Sequence, residues 1–197
     1  WAAQMDWMCE PWILEKTGLS VQEHQRKTVR NFAKLRSMEC KVHIIPVIQG
    51  FHPDEYEECV YLFNEMGFDL RNEPLVGIGS ICRRQKTDEI GQLVKRISKM
   101  GISLHGFGVK KSGLEKYGKY LASADSLAWS YEARYSKRRC SDTKHHPTSK
   151  ACNNCLTYAL EWRERLLESL SFDANVPNLE LLPGLGHGGE TDPNALT

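Results

Sequence analysis

The chain has 197 residues, with 26 Lys and Arg against 25 Asp and Glu and a formal net charge of +1. That length can bury a substantial core. Seven cysteines are too few for a disulfide scaffold, and no apolar run approaches the roughly 18 residues of a membrane-spanning helix.

The near-neutral balance neither requires nor forbids a nucleic-acid partner, so local charge clusters carry that question. No secretory leader is visible, and single cysteines such as Cys9, Cys40, Cys59 and Cys82 read as reduced core thiols. The expectation is a soluble, cytoplasmic protein with no membrane partner. The first residue is Trp1, and AAQMDW reads like the end of a buried strand. The chain is therefore expected to start inside a domain.

Residues 2–6 form a short strand ending at Asp6. The segment 20–35 is helical: Ser20 and Glu23 make a capping box, and Val21, His24, Val29, Phe32 and Leu35 share one face. VHIIPVIQG (42–50) is a continuous apolar run, suited to a strand covered on both faces. A helix over 54–66 follows, with Pro53 in its first turn and Gly67 after its end. LVGIGS (75–80) is the next strand. Thr87 caps a helix to Met100, with Ile90, Leu93, Val94 and Ile97 inward. ISLHGFG (102–108) is a strand, 112–120 a short helix, 123–129 a strand, and 151–170 a last helix. The tail 171–197, rich in Gly, Pro, Asn and Asp, is expected to be flexible.

Alternation of strand and helix predicts an α/β protein with parallel strands. Two architectures fit: a doubly wound sheet, or part of a TIM-like (β/α)8 barrel. No G-x-G-x-x-G follows the first strand. Polar residues recur instead at successive strand ends, at Asp6, Gln49, Gly79-Ser80, His105 and Asp125. Sites gathered from several strand ends favour the barrel, of which about five C-terminal βα units are present. The expected division is a partial barrel over 1–139, a zinc-binding loop and helix over 140–170, and the tail.

Three thiols carry the metal reading. Cys140, Cys152 and Cys155, with His145 or His146 from the same loop, can close a tetrahedral zinc site. Four protein ligands leave no open position, so the zinc is expected to be structural. Which histidine binds is open. Asp125, inside an apolar segment, needs a partner or a task. Asp6 has the same status. Gln49 offers an amide suited to reading a heterocycle, and Gly77 and Gly79 expose backbone to a ligand. His105 reads as a satisfied core histidine. Arg83-Arg84, Lys110-Lys111 and Lys137-Arg138-Arg139 each follow an apolar run and could share one face.

On these residues the chain resembles the tRNA-guanine transglycosylase superfamily. LHGFGVKKSGLEKYGKYLASADSLAWSYEAR resembles the segment bearing the nucleophilic aspartate, which falls on Asp125. IPVIQG resembles the strand with the guanine-binding glutamine, at Gln49. VGIGS resembles the glycine-rich guanine-binding strand, at Gly77, Ile78 and Gly79. QMDWMCEP resembles the strand with the base-binding aspartate, at Asp6. From Asp6 to about Arg165 the chain is most similar to a divergent branch that includes the proteins placing 7-deazaguanines in DNA.

The resemblance implies replacement of guanine by a 7-deazaguanine in DNA or tRNA, through a covalent intermediate on Asp125. It implies a structural zinc, free guanine or 7-deazaguanine as small-molecule partner, and phosphate contacts from Arg83, Arg84, Lys137, Arg138 and Arg139. A homodimer stays open. Two features depart from the family: the cysteines are spread, with no histidine in the last helix, and the upstream acid/base motif is absent from this sequence. Two other readings remain: a non-catalytic nucleic-acid binder, and an unrelated zinc-stapled barrel hydrolase.

Overall fold

A computed structural model of the chain describes residues 1–38, 41–84, 86–136, 138–142 and 152–170. Its strands are short and all parallel: β1 (Ala2–Ala3), β2 (Ile44–Ile45), β3 (Val47–Ile48), β4 (Val76–Ile78), β5 (Leu104–Gly106) and β6 (Ser123–Ala124). β1 pairs with β2, and β3, β4, β5 and β6 form one sheet in that order. Strands adjacent in sequence are adjacent in space, with no reversal of order among the described residues.

The helices are α1 (Pro11–Thr17), α2 (Val21–Arg36), α3 (Pro53–Glu65), α4 (Asp88–Ser98), α5 (Lys111–Tyr117), α6 (Ala128–Tyr135) and α7 (Leu156–Leu170). Apart from β2, which leads straight into β3, each strand is followed by at least one of them, so the α/β class holds. Among the described residues no helix is long and apolar enough to cross a membrane.

Local chemistry accounts for the boundaries. Ser20 Oγ accepts the Glu23 amide and Glu23 reaches back to the Ser20 amide, the expected capping box of α2. The predicted strand 42–50 is broken at Pro46, which has no N–H to donate, although its carbonyl accepts the Gly77 amide at 2.8 Å. The predicted strand 123–129 stops at Ala124. Ser126 Oγ accepts the Ala128 amide at 3.2 Å and turns the chain into α6. Helix α1 was not among the sequence expectations, yet it carried both terminal signals: Pro11 at its first position and Gly18 at its end with φ 68°.

The main core lies between the sheet and α2, α3 and α4. Phe32, Tyr56, Phe63, Ile90, Leu93, Val94 and Ile97 all pack there with Ile48, Val76, Ile78 and Leu104. Cys9 and Cys59 are buried, as read from sequence, but Cys82 is exposed. Cys40 lies outside the described residues. Gly77 sits under the ring of Phe107, and a Cβ there would collide with ring carbons Cε2 and Cζ. Gly77→Val is accordingly expected to lower stability by about 1–3 kcal/mol through overpacking, measured by urea denaturation.

Candidate functional site

Because the strands are parallel, their carboxyl ends open on one edge, and ligand chemistry in such sheets gathers there. Asp6 lies three residues past β1, Gln49 directly after β3, Gly79 and Ser80 after β4, Gly108 after β5, and Asp125 directly after β6. Of the residues expected at strand ends, Asp6, Gln49, Gly79, Ser80 and Asp125 do follow their strands, whereas His105 lies within β5. Their individual environments differ from expectation.

Asp125 is not a desolvated acid. Its side chain is 62% exposed, because β6 ends one residue earlier. Its position is nevertheless defined. The Gly108 amide donates to Asp125 Oδ1 at 2.6 Å, and the Asp125 amide donates to Gly106 O at 3.2 Å. Gly108 takes φ 62°, the left-handed region that suits glycine, and this turn aims its N–H at the carboxylate. His105 Nε2 stands 3.8 Å from the same oxygen. The other ring nitrogen, Nδ1, bonds Ser123 Oγ at 2.8 Å. Burial holds the His105 imidazole below its ordinary pKa, with Asp125 opposing that shift. A neutral imidazole therefore faces the carboxylate at neutral pH. His105 is a satisfied histidine, as expected, and also a neighbour of the acid.

Beside Asp125 is a mostly apolar cavity of about 290 Å³, lined among others by Leu121, Ser126, Trp129, Trp162 and Leu166. Neither Asp6 nor Gln49 lines it.

Asp6 and Gln49 meet directly: the Gln49 Nε2 amide donates to Asp6 Oδ2 in a close hydrogen bond. Gln49 is fully buried, so Asp6 covers it and presents the accessible edge. Burial raises the Asp6 carboxyl above its usual value, while its hydrogen bonds, including that from Gln49, act against the shift. The glycines serve packing here. The Gly77 and Gly79 amides are not free for a ligand but donate to Pro46 O and Ile48 O in the sheet. A Cβ on Gly79 would strike the Gln49 amide. Ile78 is buried. Tyr56 donates from its hydroxyl to Gly79 O at 2.9 Å.

The basic residues divide. Arg83 is exposed and lies over the Trp12 ring, 5.0 Å to the centroid. Arg84 is turned inward. It stacks on Phe51 and donates to Phe51 O at 2.7 Å, so it braces a loop and is not presented to solvent as a cluster with Arg83. Arg138 and Arg139 are exposed, with Arg138 Nη1 3.9 Å from Glu132 Oε1. Lys137 lies outside the described residues.

Cys140, Cys152 and Cys155 come together in a second small core. All three are buried, with ligand atoms within 4.8 Å of one another. Cys140 Sγ stands 3.8 Å from Cys152 Sγ and 3.7 Å from Cys155 Sγ. A tetrahedral zinc with bonds of about 2.3 Å has sulfur–sulfur edges of about 3.8 Å, so the cluster fits the ion. The Tyr158 amide points at Cys155 Sγ, 3.4 Å away, a partner suited to a metal-bound thiolate. Burial, followed by the two neighbouring thiols, pushes Cys140 up to about 11. A cation is what would make three adjacent thiolates tenable.

The C-x-x-C pair precedes α7 rather than opening it, since the helix begins at Leu156. His145 and His146, the expected fourth ligands, lie outside the described residues. Around the cluster, Glu132 of α6 accepts Tyr158 OH at 2.8 Å and Trp162 Nε1 at 2.9 Å. Ser130 Oγ donates to Asn153 O at 2.7 Å. Helix α6 is thus tied to both α7 and the cysteine loop.

Sequence reasoning missed two contributors. Gly108 was visible only as part of a Gly-Phe-Gly turn. Glu10, which precedes Pro11 at the start of α1, is buried and acts on Asp6, and an acid just before a helix-starting proline was the available signal.

The site defines an α/β protein with carboxylates at the carboxyl ends of parallel strands and three buried cysteines close enough to hold a metal ion. The chain belongs to the DpdA family, described as deoxypurine in DNA protein A, which matches over residues 1–180. A comparison with curated proteins finds no significant match.

Proposed function

We propose that the chain carries the nucleophile and the base-recognition edge of a transglycosylase that exchanges guanine for a 7-deazaguanine in DNA. The observation that carries this reading is Asp125. It is an exposed carboxylate just past the end of β6, oriented by the Gly108 amide, and like Asp6 it follows the carboxyl end of a parallel strand. Family membership supports DNA over tRNA as the polymer. The sequential order of parallel strands supports a TIM-like barrel, because a doubly wound sheet reverses order at its switch point.

In the proposed reaction Asp125 attacks C1′ of a deoxyguanosine. A carboxylate–C1′ bond forms as the glycosidic bond breaks, and guanine leaves with the electron pair and takes up a proton. The 7-deazaguanine then attacks C1′ from the opposite face, loses a proton, and releases Asp125. Two inversions give net retention. Asp6, backed by Gln49, accepts hydrogen bonds from the purine N–H groups, with the chain from Gly77 to Gly79 packed behind Gln49 as its support. Arg83, Arg138 and Arg139, with Lys137, hold phosphates. Zn2+ held by Cys140, Cys152 and Cys155 would supply a structural cross-link.

Full-length protein incubated with labelled guanine is expected to place label in DNA and not in tRNA. Label entering tRNA alone would reassign the polymer, and label entering neither would remove the base-exchange reading.

A further inference from the structure

Asp6 and Gln49 belong to a knot of four polar side chains. The other two, Ser80 and Glu10, have no part in the reaction above. Both are buried, at 8% and 7% exposure. Ser80 Oγ stands 2.7 Å from Gln49 Oε1 and 2.8 Å from Glu10 Oε2, and it accepts the Cys9 amide at 3.1 Å. Ser80 is also the non-glycine residue with positive φ, 54°, among those described. A serine held there carries backbone strain, an outlier of the kind that collects at functional sites.

Proton counting restricts this knot. A serine hydroxyl has one proton, yet two acceptor oxygens lie within hydrogen-bonding distance of it. Gln49 Oε1 has no proton of its own. Turning the amide over would give Ser80 an N–H, but it would set Oε1 against the Asp6 carboxylate. Two arrangements satisfy every contact. In one, Glu10 is protonated and donates to Ser80, which donates to Gln49, whose amide donates to an ionised Asp6. In the other, Asp6 is protonated and donates to a flipped Gln49, which donates to Ser80, which donates to an ionised Glu10. Each holds one proton for two carboxyl groups.

We propose that Glu10 and Ser80 are positioning residues that, with Asp6, hold a single proton along the chain Asp6–Gln49–Ser80–Glu10, and that its place sets the direction of the Gln49 amide. With the proton at Glu10, Asp6 offers only acceptors, which suits the paired N–H donors of guanine and 7-deazaguanines. With the proton at Asp6, that proton is spent on the Gln49 oxygen and the edge keeps only the weaker acceptor of a neutral acid. Glu10 thereby biases the edge toward guanine-type bases. The selectivity part rests on the base-recognition reading of Asp6; the shared proton does not.

The test uses the full-length protein, with guanine binding followed by calorimetry and carboxyl protonation by infrared difference spectroscopy. Glu10→Ala and Ser80→Ala are each expected to weaken guanine about tenfold, the effect of one unsatisfied buried hydrogen bond. Glu10→Gln should recover most of that loss, because its carboxamide donates as the protonated acid does. The wild-type spectrum at neutral pH should contain a protonated-carboxyl band that disappears in Glu10→Gln. A Glu10→Gln variant as weak as Glu10→Ala would overturn the proposal. So would a spectrum whose protonated-carboxyl region is unchanged in both Glu10→Gln and Asp6→Asn. If wild type binds neither guanine nor a 7-deazaguanine, the base-recognition reading fails, and the infrared band still decides the shared proton.

Discussion

Asp125→Ala in the full-length protein is expected to reduce base exchange on DNA by at least about 1,000-fold, the scale of removing a covalent nucleophile. The melting temperature should barely move, because the side chain is largely exposed and contributes one hydrogen bond, from Gly108. Asp125→Asn is the sharper variant. Its carboxamide oxygen can still accept the Gly108 amide, so the turn is kept while the charge is lost. It is expected to be as inactive as the alanine variant. Wild type quenched during turnover should show a deoxyribosyl adduct on the peptide containing Asp125 by mass spectrometry, and both variants should lack it. The neighbourhood supports a nucleophile in one further respect. Burial keeps His105 neutral, so no imidazolium competes for the carboxylate's charge. Base exchange at the wild-type rate by Asp125→Ala would sink the assignment.

How much of this was legible in the sequence depended on the distance over which each feature is decided. Helices α2 and α4 were readable because capping and a 3.6-residue period are local: Ser20, Glu23 and Thr87 behave as their neighbours dictate. The strands were readable as apolar runs but not in extent. Pro46 interrupts one by lacking a donor, and Ser126 diverts another into a helix. The cysteine cluster was legible because ligand spacing is a local pattern. Burial was not. Asp125 sits in an apolar stretch yet is exposed, while Gln49, a polar residue at a strand end, is fully buried beneath Asp6. Exposure at a strand end is set by which loop folds over it, and the loop covering Gln49 comes from 43 residues away. The same holds for Glu10 and Ser80, separated by 70 residues and joined only by the fold.

The metal cluster bears on Asp125 through α6. That helix begins three residues after the acid, and its inward face is held by the cysteine unit. Ala133 and Trp129 pack on Cys140, Cys152, Cys155 and Tyr158, and Glu132 ties α6 to Tyr158 and Trp162 of α7. If zinc occupies the cluster, removing it leaves three buried thiols in contact with no cation, and at neutral pH they take up protons. The clamp on α6 then weakens. Cys152→Ser is expected to abolish stoichiometric zinc and lower the melting temperature by more than about 5 °C, the order of shift for a stability loss above 1 kcal/mol. Strong chelators should have the same effect, and zinc added to the apoprotein should release protons detectable with a pH indicator. Because α6 leads directly from Asp125, base exchange should fall in parallel with zinc content. Asp125→Ala, by contrast, should retain its zinc while losing activity. The opposite pattern in that pair separates support from chemistry. Purified full-length protein free of metal, with Cys152→Ser melting as wild type does, would refute the structural zinc and leave the three thiols as core packing.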